Sequence, residues 1–176
     1  MTDEPLSEML KTGKPNSLGR TIEVVEAIIA APARIDELFD VYGRDDEWAR
    51  LRASNALKRI EAEDRALVAS RVERLLGEVA PLDQPSAQWT FAQLAGRLVE
   101  DMSEPQRREA RAFLRRYLDE ADDWIVLNAT IETLAVWAAD DAELRDWLLP
   151  RLERHAQDRR KSVAGRAAKK LAALRR

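Results

Sequence analysis

The chain has 176 residues, 45% of them apolar and 35% charged, which suits one helix-rich globular domain rather than a disordered or membrane-spanning chain. It has no Cys and only one His, so disulfides, thiolate chemistry, cysteine metal sites and multi-histidine metal cages are excluded within one chain. The net charge of −3 hides an asymmetry: eight of the 29 Lys and Arg and none of the 32 acids lie from Arg159 onward, so the remainder is net −11.

The chain opens with MTDEPLSEMLKTGKPNS, which has early acids and no apolar core of the kind a secretory signal needs. Residues 1–17 show weak periodicity and are expected to form a loosely ordered lead-in. The domain proper is expected over 18–176. No stretch approaches the ~18 apolar residues of a spanning helix, so the expectation is a cytoplasmic protein without a membrane partner.

From there helices alternate in two recurring registers. The first holds Ile35, Phe39 and Tyr42, then Val72, Leu76 and Val79, then Ala110, Leu114 and Tyr117, and last Leu148, Leu152 and His155. The second holds Ala49, Ala53, Leu57 and Ile60, then Ala87, Phe91, Ala95 and Leu98, then Val126, Thr130, Leu134 and Trp137, and last Val163, Ala167, Leu171 and Leu174. Successive copies of the second register start 38, 39 and 37 residues apart. Its offsets share one helical face, so each copy predicts a buried stripe. Two helices recurring together predict a repeated helix–turn–helix unit.

Punctuation supports these boundaries. Ser103-Glu-Pro-Gln106 carries the cap, early proline and returning glutamine of a capping box. The acid pairs Asp45/Asp46, Asp122/Asp123 and Asp140/Asp141 precede helices, where capping explains them better than acid–base catalysis or cation binding. Pro32 and Pro150 fall inside outer-helix patterns and should kink or break them.

Ala49-Arg50-(x)2-Ala53-(x)3-Leu57-(x)2-Ile60 and Val163-Ala164-(x)2-Ala167-(x)3-Leu171 resemble the inner helices of HEAT repeats, with Arg50 at the arginine position and Gln88 and Leu127 replacing it in the middle copies. The order of SLGR, DEWARLRASNAL, DQPSAQW, DDWIVLNATIETLA and RRKSVAGRA is similar to small stand-alone bacterial HEAT-repeat proteins. The resemblance covers about residues 18 to 174. It implies an all-α, right-handed α-α superhelix of about four helix pairs, and no reaction. One pair cannot bury its own stripe, but stacked pairs can, and polar terminal units cap the stack.

Site candidates follow from the register. Trp89 lies two residues past its stripe start, on a ridge with Leu51, Asn128 and Gly165, and the next turn adds Asn55, Gln93, Glu132 and Lys169. Either this ridge faces a concave surface, with Trp89 as an anchor, or Trp89 packs on a neighbouring helix or the 81–86 loop. Trp48 and Trp124 are expected to cover joints between repeats, Trp137 to lie in the core and His155 at its edge. Arg108, Arg111 and Arg115 share a helix face and read as a salt-bridged outer surface. The basic C-terminal patch, Arg159, Arg160, Lys161 and Lys169, fits a solvated capping helix or a contact for nucleic acid or an acidic partner.

Glycines form no phosphate loop, and no nucleophile–base set is recognisable. The expectation is a non-enzymatic scaffold or adaptor binding a protein or peptide on the inner-helix face through Leu51, Asn55, Trp89, Gln93, Asn128 and Glu132, with no cofactor and no metal. A nucleic-acid-binding or repair protein, with Trp89, Trp124 and Glu132 in the groove, and an accessory subunit of an enzyme are the alternatives. Arg97 is the only Lys or Arg from Ala87 to Glu104, which weakens the nucleic-acid reading because phosphate contacts need cations.

Overall fold

The computed structural model describes residues 4–176 and is all-α; no strand occurs among these residues. It holds eleven α-helices: α1 (Leu6–Lys11), α2 (Thr21–Ala30), α3 (Ile35–Asp40), α4 (Glu47–Glu63), α5 (Arg65–Ala69), α6 (Val72–Arg74), α7 (Pro85–Arg97), α8 (Glu104–Glu120), α9 (Trp124–Trp137), α10 (Ala142–His155) and α11 (Lys161–Leu174). None of them is long and apolar enough to cross a membrane. The chain divides into two compact units, Met1–Thr90 and Phe91–Arg176, where the sequence predicts a single domain over 18–176.

In the first unit the predicted stripes are core. Ile35, Phe39 and Tyr42, then Ala49, Ala53, Leu57 and Ile60, then Val72, Leu76 and Val79 are all buried. The Tyr42 hydroxyl lies 2.9 Å from that of Ser54, a partner its burial requires. Asp46 caps α4 by accepting from the Ala49 amide at 2.9 Å, and Asp64 caps α5 through the Leu67 amide. Pro32 breaks the helix as expected: α2 ends at Ala30 and a 3-10 turn, Pro32–Arg34, leads into α3. The segment after α6 is a π-helical turn, Leu75–Val79. On its flank Arg74 ties together Asp36, Asp40 and Glu78.

The expected lead-in over 1–17 differs. Residues 1–3 lie outside the described residues, but α1 buries Leu6, Met9 and Leu10 and packs on α2, α3 and α4. The segment after α1 is held by Arg52, only 2% exposed. Its guanidinium donates to the carbonyls of Leu10 (2.7 Å), Lys14 (2.8 Å) and Ser17 (3.0 Å). A buried guanidinium must have its N–H groups matched, and three converging carbonyls hold residues 10–17 in one path. Gly19 (φ 51°) lets the chain pass: a Cβ there would sit 2.2 Å from the Thr12 carbonyl and 3.1 Å from Arg52 Nε.

In the second unit Ala110, Leu114 and Tyr117 of α8, Val126, Thr130 and Leu134 of α9, Leu148 and Leu152 of α10, and Val163 and Ala167 of α11 are buried. Phe91 packs edge-on against Phe113 and Tyr117, with centroids 5.8 and 6.2 Å away. The Ser103/Gln106 capping box forms, and Asp123 and Asp141 cap α9 and α10. Three sequence expectations shift. Trp137 is half-buried, and Leu171 and Leu174 are only partly covered. Pro150 does not break α10, because it and Asp146 are exposed and the unbonded 146 carbonyl can turn to water. Trp147, three residues before that proline, is held between Arg115 and Arg151, whose guanidinium carbons lie 4.7 and 3.8 Å from its ring centre.

The arginine face of α8 is salt-bridged as expected. Arg108 pairs with Glu104, Arg111 with Asp141 at 2.6 Å and Arg115 with Glu143. Arg151 and Arg154 both reach Asp119. Burial alone would raise the Asp119 pKa, but the two guanidiniums outweigh it and hold the carboxyl below its ordinary value.

Candidate functional site

Within the second unit the end of α7 comes close to α9 at one point. Thr133 Oγ1 donates to the Ala92 carbonyl at 2.8 Å, and a Cβ on Gly96 would fall 2.8 Å from that same oxygen. Contact this tight requires a glycine. One helical turn toward the N-terminus of α9 the facing residue is Ala129, whose methyl leaves the space open. A groove of about 450 Å³ results, within the size range of small-ligand and side-chain pockets.

Its walls come from three helices. α7 supplies Gln93, Gly96 and Arg97; α9 supplies Trp124, Ile125, Asn128, Ala129, Glu132, Thr133 and Val136; α11 supplies Arg166. Trp124 is 51% exposed and Val136 57%, the two most exposed large apolar side chains among the described residues. Trp124 is therefore a groove wall and not the joint cover that its place at the start of α9 suggests. Ile125, Ala129 and Val136 follow helical spacing, giving α9 a second apolar stripe beside its buried one.

The α11 wall is fixed by ions. Arg166 donates through Nε to Asn128 Oδ1 at 3.1 Å and through Nη1 to Glu132 Oε2 at 2.6 Å, and Lys170 Nζ also meets Glu132. Asn128 Nδ2 reaches Ser162 Oγ at 3.4 Å. Burial alone would raise the Glu132 pKa, but Lys170 and Arg166 outweigh it and keep the carboxyl ionised below its ordinary range. Two cations against one carboxylate leave this wall positive.

No protein-family model, curated protein or solved structure matches the chain.

The predicted ridge residues separate between the two units. Gln93, Asn128 and Glu132 line the groove. Leu51, Asn55 and Trp89 belong to the first unit and are half-buried there. Asn55 turns back to the Leu51 carbonyl at 3.1 Å, and Lys58 Nζ sits 5.5 Å from the Trp89 ring centre. In the basic patch Arg159, Lys161 and Lys169 are exposed, while Arg160 is engaged with Asp158 and Asp122. His155 is half-buried with Nε2 3.1 Å from the Leu118 carbonyl, so that nitrogen carries the proton. Burial lowers its pKa below the ordinary 6.5. Among the described residues no three His, Asp or Glu side chains converge as a metal site.

Sequence reasoning missed Ile125, Ala129 and Val136. Their signal was present in WIVLNATIETLAVW, a helix with too few polar residues for only one buried face.

Proposed function

We propose that the chain is a HEAT-like right-handed α-α superhelix of about four helix pairs that serves as a non-enzymatic scaffold, with the α7–α9–α11 groove holding a peptide segment of a partner protein. The observation that carries the reading is the exposure of Trp124 and Val136 on the walls of that groove. Rigid aromatic and aliphatic side chains beside a few fixed polar groups are what anchor residues of a partner pack against. The occupant that fits is a segment with an aromatic or aliphatic anchor next to an acidic residue, because no acid follows Asp158 and α11 presents only cations to the groove. The repeat reading draws support from the two buried stripes, which recur in both units at one spacing.

Binding of nucleic acid draws less support. Only two cations, Arg97 and Arg166, line the groove, beside Glu132, which is too little positive charge to track a phosphate backbone. An accessory-subunit role differs from the scaffold reading only in the identity of the partner.

Panning a displayed peptide library on the purified protein tests the reading. Enriched peptides should combine an aromatic or aliphatic residue with Asp or Glu. They should lose at least about tenfold in affinity, ~1.4 kcal/mol, against Trp124→Ala or the groove-filling Ala129→Arg. Peptides that bind these variants as well as the unaltered chain would place recognition elsewhere.

A further inference from the structure

The second exposed apolar surface lies in the first unit, on α2. Its sequence, TIEVVEAIIA, has only two charged residues, and a helix this apolar is ordinarily covered on more than one side. Thr21, Val24 and Ile28 face the core. Ile22 (43% exposed) and Ile29 (36%) face out, and Leu18 (41%) continues their line one turn earlier. Among the described residues Glu26, which stands between them, forms no ion pair, and Glu23 pairs only with Arg20. The patch is thus apolar and acidic.

The complementary surface is carried by α11. Its side away from Val163 and Ala167 consists of Gly165, Ala168 and Ala172 between Lys161 and Lys169, all exposed. Neither lysine forms a salt bridge among the described residues, and a methyl added at Gly165 would touch nothing within 4 Å. This face carries small side chains and lysines where that of α2 carries large aliphatic side chains and glutamates.

We propose that the exposed face of α2 docks on α11 of a second copy of the chain, head to tail. Ile22 and Ile29 pack over the small side chains of Gly165, Ala168 and Ala172, while Glu26 and Glu23 face Lys169 and Lys161. A twofold contact of α2 with α2 would set Ile against Ile and bring the Glu26 carboxylates together, and α11 on α11 would oppose lysines. Charge and side-chain size therefore select the pairing of α2 with α11 over the pairing of either helix with its own copy. None of its residues lines the groove, and it does not depend on what the groove binds.

Sedimentation of the intact chain tests this. The weight-average mass should rise above the 20.0 kDa of one chain with concentration, and less steeply at high salt, which screens the Glu–Lys pairs. Two variants separate the surfaces: Ile22→Asp with Ile29→Asp destroys the α2 face, and Ala168→Glu with Lys169→Glu destroys the α11 face. All four positions are exposed, and circular dichroism should show unchanged helicity. Each variant alone should stay monomeric, and their mixture should form a one-to-one complex of twice the monomer mass that grows no further. An intact chain that stays monomeric at every concentration, an α11 variant that still self-associates, or a mixture that forms no complex would each overturn the proposal.

Discussion

Arg52 in the first unit and Arg166 in the second stand at the same repeat position, three residues past the start of their stripes at Ala49 and Val163. Both reach back toward whatever precedes their helix, yet their fates differ. Arg52 is buried against three loop carbonyls, whereas the Arg166 side chain stays 41% exposed and pairs with Asn128 and Glu132 of α9. At the two intervening copies the position is Thr90 and Ala129. In the first unit residues 10–17 take the place that a preceding helix holds for Arg166. The lesson is that a repeat position prescribes a direction of reach, and the neighbour decides whether the side chain becomes a clamp, a wall or, as with Ala129, a gap.

The sharpest way to break this comparison is one substitution made at both sites. Arg52→Met leaves three carbonyls facing an apolar side chain and should cost about 3–5 kcal/mol in urea denaturation, with hydrogen exchange accelerated over residues 4–20. Arg166→Met removes a partly exposed pair while Lys170 still neutralises Glu132, so it should cost no more than ~1 kcal/mol. Equal losses would show that the shared position, and not burial, sets the energetics.

Glycines give the next contrast. Gly96→Ala drives a methyl into Thr133, whose β-branched side chain is held by its bond to Ala92, and should lower stability by about 1–3 kcal/mol. Gly77→Ala in the first unit meets nothing within 4 Å and should be neutral or stabilising by up to ~1 kcal/mol. Thermal midpoints of the two variants check both outcomes.

The smallest effect is expected at His155, which confines histidine-linked pH dependence to the second unit. Its folded-state pKa lies below 6.5, so the unfolded chain binds the proton first. Its contribution is complete above pH ~6.5 and is lost as pH falls through the lowered folded value. His155→Gln should flatten stability against pH between about 7 and 5 in denaturant titrations. An unchanged slope would assign it to the carboxylates instead.

The sequence by itself determined most of the longer helices and most of their buried faces, though not α1, the unbroken α10 or the partial exposure of Trp137. Stripes, caps and the Pro32 break depend on residues within a few turns of one another, and local spacing carries that information. It also placed Gln93, Asn128 and Glu132 on a face turned away from the core. Only the tertiary structure decided that Trp124 is open while Trp89 is half-covered, that Ala129 leaves a groove and that α1 is packed, with the segment after it held by Arg52. Each of those outcomes rests on contacts between distant segments, such as Arg52 with carbonyls 35 to 42 residues earlier and Arg166 with Glu132 34 residues earlier. A side chain's reach is written in the chain, but what waits at the end of it is set by packing.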